Sequence, residues 1–263
     1  MSRMKTAAKR GGLGVLGLAV ASGALLTIEG ILATRRTYLL AESAPPVEGR
    51  FKPQGTSTGS VKLTMLGDST AAGVGASSTA GTVGGHLAQS LALRGFTVQL
   101  TSVAISGSRV SDLGPQVSRA LLAHPEVALI LIGANDATHL TRKDAITRHL
   151  GDAITRLESA GAKVIVGTCP DMGASDSFLQ PLRQIVAWEG RRIGRMERAV
   201  IEGTEAIPVD IGAHTGPEIR RDRDRYLSSD RFHPSDAGYA LWSDALLPAV
   251  SWAATELAHS PIP

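Results

Sequence analysis

Beyond residue 60 the chain alternates short apolar runs with longer amphipathic ones. Residues 61–66, 96–104, 127–132, 163–168 and 206–211 are short and bounded by turn-forming or polar residues, and they predict five strands. The run at 127–132 (Val-Ala-Leu-Ile-Leu-Ile) has no polar position, as expected of a strand covered on both faces. Between these runs, 83–93, 110–122, 143–160 and 182–200 predict helices. In 143–160, Ile146, Leu150, Ile154 and Leu157 recur at helical spacing. Gly95 is placed to end the helix at 83–93. Residues 235–259 predict a last helix, broken at Pro248. Strand–helix alternation of this kind predicts a parallel sheet with helices on both sides, and such sheets bind ligands beyond the carboxyl ends of their strands.

The first sixty residues follow another pattern. Arg3, Lys5, Lys9 and Arg10 precede an uncharged run from 11 to 28, which resumes briefly after Glu29 and ends at Arg35 and Arg36. Residues 1–43 thus predict a signal anchor or signal peptide, with membrane contact through 11–34. No small-x-small site closes the run, which favours an uncleaved anchor with the remainder outside the cytoplasm. The many glycines of the segment make it a poor soluble helix. Residues 44–60 are rich in Pro, Gly, Ser and Thr and predict a linker, leaving 61–259 as the folded domain.

Composition narrows the function classes. A chain of 263 residues with 43% hydrophobic and 19% charged residues is a globular protein. The formal charge of +3 is concentrated near the N-terminus, so no footprint for nucleic acid is predicted. The single cysteine, Cys169, ends an apolar run and reads as a small buried hydrophobe. No metal-ligand spacing, phosphate loop or dinucleotide loop occurs, so neither metal nor cofactor is expected. The charged stretch 218–225 predicts a solvated loop, with a patch for an anionic substrate as the less favoured reading.

The predicted strand ends carry the candidate chemistry. Gly67-Asp68-Ser69-Thr70 follows the first strand, Ile105-Ser106-Gly107-Ser108 the second, and Gly133-Ala134-Asn135-Asp136 the third. Asp230-Arg231-Phe232-His233-Pro234 precedes the last helix. Ester cleavage by a serine needs an accessible hydroxyl on a tight turn, a base oriented by a carboxylate, and donors aimed at the developing oxyanion. Ser69 supplies the hydroxyl and His233 the base. Asp230, three residues before His233, supplies the orienting carboxylate. The Ser69 N–H, the Gly107 N–H and the Asn135 amide supply three oxyanion donors. Taken singly, each residue has an ordinary structural reading: Ser69 and His233 as caps, Asn135 as a turn residue. Asp68 and Asp136 read as loop-holding carboxylates.

This set resembles the SGNH hydrolases, also called the GDSL family. Its marker blocks correspond here to Ser69, Gly107, Asn135 and His233, with Asp230 as the acid, all in the family's order. The chain departs from the family name at Thr70, where Leu is usual. The resemblance implies a flavodoxin-like three-layer α/β/α sandwich with a five-stranded parallel sheet. It also implies serine-dependent hydrolysis of carboxylic esters. The predicted topology suggests an envelope substrate, a lipid or an acylated glycan. An acyltransferase using the same Ser69 is the alternative, followed by a non-catalytic binding module on the same fold. Residues 70–82, 170–181 and 212–229 are expected to set specificity, and either of the last two is long enough to form a lid.

Overall fold

The computed structural model describes residues 38–259. The predicted N-terminal hydrophobic helix and the membrane segment 11–34 lie outside the described residues. Among the described residues, no helix is long and apolar enough to cross a membrane.

Six strands form one mixed sheet: β1 (Gly49–Phe51), β2 (Gly59–Gly67), β3 (Phe96–Ser102), β4 (Val127–Leu131), β5 (Lys163–Gly167) and β6 (Ile207–Val209), in the spatial order β1-β3-β2-β4-β5-β6. The five predicted strands are β2 to β6, and they are parallel throughout. The sixth is a correction. β1 arises inside the predicted linker 44–60 and pairs antiparallel with β3, Arg50 opposite Gln99. Three residues beside glycine and proline carry too little pattern to read as a strand. They form one because the edge of β3 offers unpaired backbone groups.

Period-two alternation builds the three layers. Val127, Leu129 and Leu131 of β4 face one core with β2's Val61, Leu63 and Met65. Ala128, Ile130 and Ile132 face the other. The first core is closed by α1 (Val83–Leu93) and, after the remaining helices, by α8 (Asp236–His259). The second is closed by α2 (Leu113–Leu122), α4 (Lys143–Ser159) and α5 (Leu182–Ile201). A short helix, α3 (Ala134–Thr138), follows β4, and α6 (Ile211–Arg221) and α7 (Arg223–Tyr226) follow β6.

Two helical expectations change. The stretch 218–225 is largely helical, split between α6 and α7, because Asp210 and Asp222 accept from Ala213 N and Arg225 N and so cap the two starts. Helix α8 runs unbroken through Pro248. Pro248 and Asp244, whose carbonyl loses its donor, are both exposed, so water can satisfy the orphaned oxygen. Gly95 follows the C-cap residue Arg94 with φ 97°, a left-handed terminator of α1 as expected.

Without β1, the sheet has the doubly wound order 2-1-3-4-5. Its topological switch point lies between β2 and β4, where crossovers leave in opposite directions and open a crevice. Ser69 follows β2 at that crevice.

Candidate active site

Strand β2 ends at Gly67, and only glycine fits there. Its φ is 131°, and a Cβ would stand 1.7 Å from the Leu131 carbonyl oxygen. The chain then turns sharply through 68–75, held by Val74 N–H to Ser69 O at 2.9 Å and by Tyr239 Oη–H to Val74 O at 2.6 Å. Asp68 closes the turn locally, with Oδ1 accepting from Thr70 N at 2.9 Å and Thr70 Oγ1 at 2.8 Å. Burial pushes the Asp68 carboxyl up to about 6, although the bonds from Thr70 oppose the rise.

His233 and Asp230 share one tight turn between α7 and α8. Asp230 Oδ1 accepts from Phe232 N at 2.9 Å, His233 N at 3.0 Å and Ser228 Oγ at 2.9 Å. Asp230 Oδ2 lies 2.6 Å from His233 Nδ1 and accepts from Leu39 N at 3.1 Å. Burial raises the Asp230 pKa. The His233 ring and the backbone N–H groups of His233, Leu39 and Phe232 outweigh that and hold the carboxyl well below the ordinary range. With Nδ1 turned to a carboxylate, Nε2 of the neutral ring is the free acceptor. It lies 3.0 Å from Ser69 Oγ. Both side chains are buried, so the Ser69–His233–Asp230 chain is shielded from bulk water.

Asn135 sits in α3, not in the plain turn its sequence suggests. Its Nδ2 donates one hydrogen to Ser108 O at 3.0 Å, leaving the other for a ligand. Asp136 Oδ2 accepts from Val110 N at 3.1 Å, the loop-holding role expected of it. A small cavity of about 50 Å³ brings Ser69, Asn135 and His233 together under Met172, Leu227 and Phe232. Gly107 does not line that cavity. It lies on the turn after β3, where φ is 83° and its Cα face is open. That turn is tied to the end of β2 by Ile105 N–H to Gly67 O at 3.1 Å.

Sequence reasoning missed Gln116. On α2 it is fully buried, its Oε1 accepting from Gly67 N at 2.8 Å and its Nε2 donating to Gly67 O at 2.9 Å and Ser108 Oγ at 3.0 Å. One amide therefore holds both the end of β2 and the Gly107 turn. The available signal was a polar residue on the helix face shared with Leu113, Val117 and Ala120. The segment 170–181 is no free lid. Asp176 makes a two-point ion pair with Arg231 (3.1 and 2.7 Å), and Ser175 and Ser177 donate to Arg231 O at 2.7 and 2.9 Å. Cys169 is buried as expected, and burial raises its thiol pKa well above the ordinary value.

Residues 65–241 match the model of the GDSL-like lipase/acylhydrolase family. The chain belongs to that family. Its sequence is 37% identical over 205 residues to a GDSL-like esterase of Mycobacterium tuberculosis, covering 77% of this chain and 65% of that protein. The chain thus spans just under two thirds of that relative. Solved structures share the family member's fold. A structure of Axe2, an acetyl xylan esterase from Geobacillus stearothermophilus, has 20% identity and a TM-score of 0.55 over 76% of this chain and 96% of that one. LAE5, described as an alpha/beta hydrolase enzyme from the metagenome of Lake Arreo, has 18% identity and a TM-score of 0.55 over 76% and 97%.

Proposed function

We propose that this protein hydrolyses carboxylic esters through an acyl-enzyme on Ser69. The observation that carries this reading is the hydrogen-bonded chain from Ser69 Oγ through His233 to Asp230, at 3.0 and 2.6 Å. Family membership supports it.

In the first half-reaction His233 Nε2 takes the Ser69 hydroxyl proton as Oγ bonds to the ester carbonyl carbon. The carbonyl oxygen becomes an oxyanion, which accepts from the Ser69 N–H, the Gly107 N–H and Asn135 Nδ2. Collapse breaks the bond to the alkoxy oxygen, and the alcohol leaves with the proton held on His233. A water then repeats the sequence, releasing the carboxylic acid and restoring Ser69. Asp230 orients the ring and stabilises the imidazolium without taking its proton.

The cavity of about 50 Å³ beside Ser69 favours a short acyl group. This agrees with the name of the acetyl xylan esterase that shares the fold. The basic start and apolar run of residues 11–34 favour an acylated envelope molecule as substrate, with the domain facing outward.

The deciding experiment is a p-nitrophenyl ester series from acetate to palmitate on the full chain, with Ser69→Ala as control. Ser69-dependent release that is fastest at acetate is the expected outcome. Release unaffected by Ser69→Ala would overturn the nucleophile. No release, with a fluorophosphonate still labelling Ser69, would favour acyl transfer to an alcohol.

A further inference from the structure

A second and larger cavity, of about 360 Å³, opens beside the active site at the carboxyl ends of β5 and β6, between α5 and α6. Its walls carry four arginines: Arg191, Arg195 and Arg198 from α5, and Arg220 from α6. The first three stand at i, i+4 and i+7, so one helix face presents them all. Two carboxylates share the cavity. Arg198 pairs with Asp210 at 2.8 Å, and Arg220 pairs with Asp171. Four positive and two negative side chains leave a surplus of two charges. That surplus falls on Arg191 and Arg195, which are exposed and have no carboxylate partner among the described residues.

The space is built by glycines. Gly190 and Gly212 let α5 and α6 close onto the segment after β5: a Cβ on Gly190 would meet Met172 Cγ at 2.8 Å, and one on Gly212 would meet Asp171 N at 3.1 Å. Gly194 is different. Its Cβ would find nothing nearer than 3.8 Å, so its lack of a side chain leaves the cavity open where Arg191, Arg195 and Arg198 converge. Pro170 and Asp171 line both this cavity and the one that holds Ser69, so the two are neighbours across one wall.

We infer that the arginine cavity is a subsite for an anionic substituent of the ester substrate, a phosphate or a carboxylate. This inference rests on the ester-hydrolase reading. Guanidinium groups recognise both anions through paired N–H donors, and unpaired arginines in a concave site keep those donors available. Electrostatic capture there would hold the ester carbonyl near Ser69, lowering KM for charged substrates and leaving neutral ones unaffected.

The test compares paired esters on the full chain at low ionic strength: acetylglycerol against its phosphate, and acetylglucose against acetylglucuronate. In wild type, kcat/KM should favour one charged partner by about tenfold or more, mainly through KM. The favoured pair separates a phosphate source from a carboxylate source. The double variant Arg191→Ala/Arg195→Ala should bring the ratio toward one, with p-nitrophenyl acetate hydrolysis unchanged within about twofold. Gly194→Asp, which places a carboxylate in the open space, should do the same if the arginine pair were lost to misfolding. Equal kcat/KM within both pairs in wild type, or a preference that survives both variants, would overturn the subsite. Absence of Ser69-dependent turnover on every ester would count against the hydrolase reading. In that case calorimetric titration with glycerol 3-phosphate and glucuronate decides the cavity alone: binding lost in the double variant supports an anion site, and no binding to wild type overturns it.

Discussion

The backbone N–H of Leu39 donates to Asp230 Oδ2 at 3.1 Å, across 191 residues of sequence. Beside it the Tyr38 ring packs edge-on against Phe232 at 5.1 Å between centroids. The stretch that follows the predicted membrane segment therefore reaches the carboxylate that orients His233. The boundary at residue 43 cuts through that contact.

Truncation should report this directly. A chain beginning at residue 44 loses the Leu39 donor, and one beginning at residue 37 keeps it. A hydrogen bond to a charged group is worth about 1.5–3 kcal/mol, less where water can replace it. The shorter chain should therefore lose several-fold in kcat/KM against the longer one. Equal rates would show that water substitutes fully for Leu39 N–H.

The three residues of the hydrogen-bonded chain should fail unequally. Ser69→Ala and His233→Ala should each lower kcat by about 10⁵–10⁶, and Asp230→Asn by about 10⁴, following the pattern of other serine triads. Melting temperatures within a few degrees of wild type would show that the losses are chemical. An Asp230→Asn variant as impaired as His233→Ala would mean that Asp230 does more than orient the ring.

Gln116→Leu keeps the volume and removes three hydrogen bonds. It leaves the buried Gly67 N–H without a partner, at about 1–3 kcal/mol, while Gly67 O keeps the Ile105 N–H. Urea unfolding should show a loss of about 1–3 kcal/mol. Activity should fall too, because the end of β2 and the Gly107 turn lose their common anchor. A variant of normal stability would mean that the strand end repacks around a water.

Two buried carboxyls, Asp68 and Glu197, contribute strongly to the pH dependence of stability, and burial raises that of Asp136 in the same direction. Asp68 is raised by burial from 3.8 to about 6, and Glu197 from 4.5 to about 8. Glu197 is fully buried on α5, with Oε2 accepting from Cys169 N at 2.7 Å. Between the unfolded and folded values the unfolded chain has released its proton and the folded chain has not. Unfolding then liberates protons, and stability falls as pH rises, by up to about 1.4 kcal/mol per pH unit for each group. The fall should run from near pH 4 to near pH 8, with Asp68 contributing up to about 6 and Glu197 beyond it. Asp230 has the opposite sign, since its folded pKa is depressed, and it weakens the fold only under acid conditions near and below its unfolded value of 3.8. Urea midpoints measured from pH 5 to pH 8 should decline, and Glu197→Gln should flatten the upper half of that decline. A midpoint rising over this range would contradict the assignment.

Much of the molecule is legible along the chain because its causes are local. Strand β4 announces itself by an unbroken apolar run, since a strand covered on both faces favours apolar residues at every position, and the other four predicted strands by short, mostly apolar runs bounded by turn-forming or polar residues. Gly67, Asp68 and Ser69 are read together because one turn needs all three. Asp230 and His233 are read together because three residues suffice to bring carboxylate to imidazole. Other features depend on what the chain meets after folding. Strand β1 exists because the edge of β3 was free, and α6 and α7 because their charged residues had capping aspartates and a surface to cover. Only the fold brings His233 within 3.0 Å of Ser69, 164 residues away, when α8 closes one face of the sheet. The same holds for Gln116 beneath Gly67, Leu39 against Asp230, and the arginines of α5 gathered around a space that Gly194 leaves open. Residue order alone shows which side chains could do chemistry and which segments could form strands. Packing of the elements sets which backbone groups are left without partners, and so which distant side chain satisfies each of them, because a buried donor or acceptor must be paired wherever the fold places it.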